Sequence, residues 1–349
     1  EKYLNLLIKK NPSIYSYHYG LINISKRYLT NELVDEIKKN IKNQNNDNKI
    51  YSNLILAKKS EINKDYTLEM KYLHNAHEFY NKSKSNLLDQ QFNYYNDFLP
   101  KFIKNSKNLK INPNSKLNPI FIMGLPRSGT TLVERIIVSG KNKVESLGET
   151  DVFDKVFFSN QIKNTLDKDI LTDLHQKIID QYYNQGYSGS NLKFTDKSIA
   201  SFLYIDLISK IFPKAKFVYC LRNPVANLIG LSRSFLPNIY WSHSIKKTCE
   251  MFNNYFKKLD EVKKNKSIKI HVLELEDLTN DPENVSKELF KFLDLDWTID
   301  CVQDYSNDLI VKTASNLQVR KEIKKHDLSY TSNYLKIFKD MGLNYDWLS

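Results

Sequence analysis

One stretch, FIMGLPRSGTTLVERI at residues 121–136, constrains the fold more than anything else in the chain. An apolar run, Ile120–Met123, leads into a glycine turn, and Leu132–Val138 then has the spacing of a helix. Strand, glycine loop and helix in that order are the context a phosphate-binding loop requires. Gly124 and Gly129 are separated by four residues. A glycine at position 129 lets the backbone approach an oxyanion, and the amides of Ser128–Thr131 then meet it from a helix N-terminus. Ser128, Thr130 and Thr131 add hydroxyl donors, and Pro126 and Arg127 complete the predicted binding loop. A glycine turn that binds nothing is the plainer reading. The company of Pro126, Arg127, Ser128 and the threonine pair weighs against it.

The loop is not that of a nucleotide triphosphatase. The pattern there is GxxxxGK[ST], whereas Thr130 stands here at the lysine position. That lysine reaches the β- and γ-phosphates, and the hydroxyl after it holds Mg²⁺. Its replacement argues against phosphoryl transfer from ATP, and no metal is expected.

Beyond the loop, Asn191–Thr195, Lys216–Leu221 and Ile268–Leu273 read as further strands. Helices are expected at Ala200–Phe212, Ser244–Lys264 and Pro282–Leu293. Strands alternating with helices imply an α/β domain with a mainly parallel sheet flanked by helices. Residues 1–108 differ: Gly20 is their sole glycine, and Leu, Ile and Tyr recur at helical spacing. Tyr51–Glu61 and Thr67–Asn81 read as two antiparallel helices around a turn at Asn63–Tyr66, with another helix over Leu87–Asn105. Paired helices of this length suggest a tetratricopeptide-like array, with an ordinary helical bundle equally open. Residues 109–118, polar and carrying Pro113, form the expected linker ahead of an α/β domain over 119–349.

Net charge is +12, but the lysines are spread along the chain and form no basic stripe interleaved with aromatics. A nucleic-acid partner is therefore not expected. The three cysteines, Cys220, Cys249 and Cys301, form no CxxC pair, which fits a reducing compartment and a cytoplasmic location. His74 and His77 lie one helical turn apart with no third ligand nearby and read as helix-surface residues. No apolar run approaches the roughly 20 residues that span a bilayer, and no signal peptide is visible at the start of the chain.

The segment PRSGTTLVERI resembles the 5′-phosphosulfate loop of PAPS-dependent sulfotransferases, closest to the bacterial tetratricopeptide-linked and tyrosylprotein types. The likeness runs over about residues 119–325, with several motifs in the family's order, and the helical N-terminal region is similar too. It implies PAPS as co-substrate and an acceptor hydroxyl. A sulfuryl group carries less charge than a phosphoryl group, which fits the missing lysine and metal. Within LGETDVF, Glu149 matches the family's general base; a carboxylate beside the donor can take the acceptor's proton. In FTDKS, Lys197 matches the lysine on the bridging oxygen, where an ammonium stabilises the leaving phosphate. Arg222 resembles the arginine of the 3′-phosphate, a contact suited to a bidentate guanidinium. The serine that usually follows eight residues on is Gly230 here, with Ser232 two beyond. Leu275 takes the place of a usual tyrosine. In VKTASNLQVRKEI, Ser315 matches the serine near the sulfuryl group, and Arg320 and Lys321 bring positive charge towards the phosphates.

The resemblance implies sulfuryl transfer, with a peptide or protein as one acceptor class and small molecules and glycans left open. Two other readings compete. One is a helical-repeat scaffold carrying a degenerate transferase domain, hinted at by Gly230 and Leu275; the other is an ATP-dependent P-loop kinase, opposed by Thr130.

Overall fold

The computed structural model describes residues 1–105, 116–139, 141–159, 168–303 and 323–348. The chain forms two compact units. One contains residues 1–92, 224–251 and 328–349; the other contains residues 93–223 and 252–327.

The first unit is helical. Asn45 accepts the backbone N–H of Asn48 and so caps the helix Asn46–Ile62. A turn at residues 63–65 leads into Tyr66–Asn93. That helix continues where a separate one was expected. Lys84 kinks it; the π-helical turn Tyr94–Phe98 and the α-helix Leu99–Asn105 that follow belong to the second unit. The later segments join the early helices through a partly buried ion pair. Arg233 donates from Nε to Glu69 Oε1 at 2.7 Å and from Nη2 to Glu69 Oε2 at 3.2 Å, and Tyr334 donates to the same carboxylate at 2.5 Å. His77 is buried instead of lying on the surface. Its Nε2 meets the Ser232 carbonyl at 2.7 Å, and its Nδ1 lies 2.9 Å from Nδ1 of His243.

The second unit holds five parallel strands: β1 Ile120–Gly124, β2 Glu145–Ser146, β3 Phe194–Asp196, β4 Lys216–Leu221 and β5 Ile270–Glu274. Their order across the sheet is β2-β3-β1-β4-β5. β1 is buried along its whole length, as a parallel strand covered on both faces must be. The helix Thr130–Val138 packs Val133, Ile136 and Ile137 onto a core with Ile120, Ile122, Val218, Leu273, Leu278, Leu289 and Phe290. Pro282–Leu293 forms as expected, with Asp281 accepting the Asn284 N–H as its cap. β2 and the helices Val152–Ser159 and Lys168–Asn184 were not expected from sequence. Two residues are too few for β2 to show alternation. Leu174, Ile178 and Tyr182, buried at four-residue intervals, are the signal that marks the last helix.

The order of strands places three of the segments singled out in the sequence along one edge. β1 lies between β3 and β4, with Phe121 opposite Asp196 and Gly124 opposite Cys220. The carboxyl ends of these three strands lead into Lys197, the glycine loop and Arg222. Open parallel sheets bind their ligands at that edge.

Candidate functional site

The loop is shaped by two close approaches. Gly124 has φ +150°, and a Cβ there would lie 2.5 Å from the Cys220 carbonyl oxygen and 2.6 Å from Ser128 Oγ. Gly129 has φ +95°, and its Cβ would lie 2.6 Å from Leu275 Cδ1. Leu275, at the usual tyrosine position, thus packs against the second glycine. Arg127 also takes a left-handed conformation, with φ 70°. The loop closes through the Ser128 N–H, which donates to the Leu125 carbonyl at 3.2 Å. Gly129 then caps Thr130–Val138 without any side-chain cap. Ser128 Oγ is buried and hydrogen-bonds to nothing among the described residues. A buried hydroxyl at a helix N-terminus, between two glycines that leave no room for side chains, fits an oxyanion ligand.

Gly124→Ala is expected to cost about 2–4 kcal/mol of stability, because the obstruction is the backbone of β4 and the conformation is strained. Gly129→Ala is expected to cost less, since its obstruction is the end of a side chain that can turn away. Urea unfolding of both variants checks the ranking, and equal losses would show that β4 does not limit position 124.

At the end of β3, Lys197 is only 1% exposed, and its Nζ lies 3.0 Å from Glu149 Oε1. The Glu149 side chain is 42% exposed. The pair therefore joins an enclosed cation to a carboxylate open to a second reactant. The Lys197 amide donates to the Gly148 carbonyl at 2.9 Å, tying the two segments by backbone as well. Cys220, next to the loop, feels the Lys197 charge: burial pushes its thiol up, and Lys197 works against that.

Glu134, within LVERI, is a buried residue beside Lys197 that the sequence motifs did not single out. Its buried Oε1 accepts from Thr195 Oγ1 at 2.7 Å, Ser146 Oγ at 3.1 Å and the Gly148 N–H at 3.1 Å. Its Oε2 lies 3.9 Å from Lys197 Nζ. One carboxylate thus fixes β2, β3 and the turn that carries Glu149. The available signal was a charged residue between Val133 and the Ile136–Ile137 pair of a core-facing helix.

Asp196 anchors the other side. Its carboxylate accepts from Tyr182 at 2.6 Å, Thr150 at 2.9 Å and the Ser198 N–H at 2.8 Å. Burial pushes this carboxyl above its ordinary range, and those donors oppose the shift.

At the end of β4, Arg222 Nη1 donates to the Arg127 carbonyl at 2.8 Å, and Nη2 lies 2.7 Å from His326 Nε2. The second unit thus joins Glu149 to Lys197 and Arg222 to the loop. Thr130 and Thr131 are the first residues of the helix after the loop, and Pro126 is buried within the loop. Ser232 falls in the first unit, at the end of the helix Pro224–Ser232. Ser315, Arg320 and Lys321 lie outside the described residues.

A family model described as the sulfotransferase family matches residues 119–299, more than half of the chain. The chain belongs to the sulfotransferase family. The chemistry of this family is sulfuryl transfer to an acceptor that bears a hydroxyl. A relative from Aquifex aeolicus (strain VF5), itself uncharacterized, is 28% identical over 240 residues. That alignment covers 62% of this sulfotransferase-family chain and 31% of the relative. Among solved structures, the sulfotransferase domain of the Synechococcus PCC 7002 olefin synthase is 18% identical, with a TM-score of 0.41 over 68% of this chain and 98% of that domain. A mouse sulfotransferase complexed with PAP is 13% identical, with a TM-score of 0.39 over 70% of this chain and 91% of that one. Among the described residues, no three side chains form a metal-binding group, and no helix is long and apolar enough to cross a membrane.

Proposed function

We propose that this chain transfers a sulfuryl group from PAPS to an acceptor hydroxyl. The carrying observation is the Glu149–Lys197 pair, an open carboxylate held against an enclosed ammonium at the edge where the phosphate loop emerges. The acceptor oxygen attacks sulfur in line, its proton passes to Glu149, and a new O–S bond forms. The bond from sulfur to the bridging oxygen breaks, and that oxygen leaves on 3′,5′-ADP. Lys197 and Ser315 stabilise the developing charge, as preorganised donors do at a leaving oxyanion. The amides and hydroxyls of Ser128–Thr131 hold the 5′-phosphate. Arg222, with Arg320, receives the 3′-phosphate. Residues 119–349 form the transferase domain in this reading, after a helical region over 1–108 and a linker over 109–118. By family analogy, a helical region ahead of the transferase domain suits a peptide or protein acceptor.

Calorimetric titration with 3′,5′-ADP, with and without Mg²⁺ and beside ATP and 5′-AMP, tests the donor site. Metal-independent binding at least tenfold tighter than 5′-AMP is expected, about 1.4 kcal/mol for the 3′-phosphate. A Mg²⁺-dependent preference for ATP would overturn the proposal in favour of a kinase.

A further inference from the structure

His326 lies 104 residues beyond Arg222 in sequence and meets it in the second unit. A guanidinium nitrogen can only donate, so His326 Nε2, at 2.7 Å from Arg222 Nη2, must accept. That contact fixes the tautomer: the ring is neutral and its proton sits on Nδ1. Nδ1 is buried and makes no hydrogen bond among the described residues. The facing carboxylate oxygen, Glu276 Oε1, is 4.0 Å away and accepts instead from the Asn223 N–H. His326 therefore caps the guanidinium edge through a lone pair and keeps an N–H that makes no hydrogen bond among the described residues.

We infer that His326 is a further contact for a phosphate monoester of the donor: it covers the Arg222 edge until the phosphate takes that edge, and it then turns to the phosphate as an imidazolium. This rests on the proposal that Arg222 receives the 3′-phosphate. A dianion at Nη2 takes over the N–H that His326 accepts. The Nε2 lone pair would then face negative charge, which is unfavourable. Adding a proton at Nε2 turns that repulsion into a charge-assisted hydrogen bond. The same proton is incompatible with the contact described above, because an Nε2–H would meet the Arg222 N–H.

The groups facing the ring agree with this exchange. Burial and then Arg222 hold the imidazole below its ordinary range, while Glu276 and Asp327 pull it up. Arg127 presents its carbonyl to the same guanidinium. A bound phosphate adds negative charge and raises the imidazole. Free His326 therefore titrates lower than bound His326. Affinity is greatest below the free value, declines as pH rises between the two, and levels off above the bound value. Phosphate binding takes up a proton across that window.

The test is calorimetric titration of the whole chain and of His326→Gln with 3′,5′-ADP from pH 5.5 to 8.5, in two buffers of different ionisation enthalpy. Glutamine can accept from Arg222 without titrating. By linkage, a phosphate that makes the histidine bind its proton about tenfold more tightly is itself bound about tenfold more tightly once that proton is present. The wild-type chain should therefore gain about tenfold more than His326→Gln on going to low pH. It should also take up protons that the variant does not. The ligand's own phosphate, bound as the dianion, releases protons, so uptake has to come from the protein. If His326→Gln does not fold, net uptake by the wild-type chain with 3′,5′-ADP but not with 5′-AMP carries the same conclusion. Equal pH slopes and equal proton balance in both proteins would overturn the role of His326 and leave the donor site intact. No binding of 3′,5′-ADP to the wild-type chain would overturn both.

Discussion

Glu149→Gln is expected to lower single-turnover sulfuryl transfer from PAPS to a phenolic acceptor by about 10²–10⁴-fold, the usual contribution of a positioned general base. Glutamine keeps an oxygen that can accept from Lys197 at the 3.0 Å separation, so the enclosed cation retains a partner and the fold is not disturbed. What is lost is the ability to take a proton. Among the described residues, the two carboxylates paired with Lys197 differ: Glu149 is open, whereas Glu134 is 9% exposed and is held by three donors. Of this pair, an acceptor can therefore meet Glu149. Two controls separate base loss from damage. Binding of 3′,5′-ADP should be unchanged, because the proposed mechanism puts Glu149 on the acceptor side. A more acidic phenol should suffer a smaller loss, because it needs less help to shed its proton. A rate within threefold of wild type, with the donor still bound, would remove Glu149 from the mechanism.

The parts of the site legible in the sequence are those that a strand and the residues after it can carry. β1 and β4 are short, mainly apolar runs that lead into the glycine loop and Arg222, and the three-residue β3, Phe194–Asp196, ends just before Lys197. The glycines mark close approaches that only the folded state reveals. At Gly124 the obstacle is Cys220, on a neighbouring strand. Glu134 was missed because a single carboxylate on an amphipathic helix looks like a solvated face until its three donors, from residues 146, 148 and 195, converge on it. His326 left no local trace, since its partners Arg222 and Glu276 come from distant segments. The grouping of residues 224–251 and 328–349 with the N-terminal helices is equally hidden. It depends on Arg233 and Tyr334 both reaching Glu69, contacts separated by 164 and 265 residues. Local pattern reports which elements form; convergence of buried polar groups is decided by packing.

Lys197→Ala should have two consequences that a second substitution separates. Transfer should fall by about 10²–10³-fold, the effect of deleting one preorganised donor at a developing oxyanion. Stability should fall by about 3 kcal/mol, because a buried carboxylate loses its cation. That carboxylate is Glu134, whose Oε2 lies 3.9 Å from Lys197 Nζ and whose Oε1 keeps only uncharged donors. Adding Glu134→Gln removes the uncompensated charge while leaving an acceptor for Thr195, Ser146 and the Gly148 N–H. The double variant should therefore recover much of the lost stability in urea unfolding, a coupling expected for residues in one buried network. Its rate should stay low, because no ammonium remains to meet the leaving oxygen. If the rate returned together with the stability, Lys197 would be a structural counter-ion to Glu134 and the leaving-group role would belong elsewhere. If neither returned, the 3.9 Å approach would carry no stabilising charge pair, and the stability effect would have to come from the lost packing of the lysine stem.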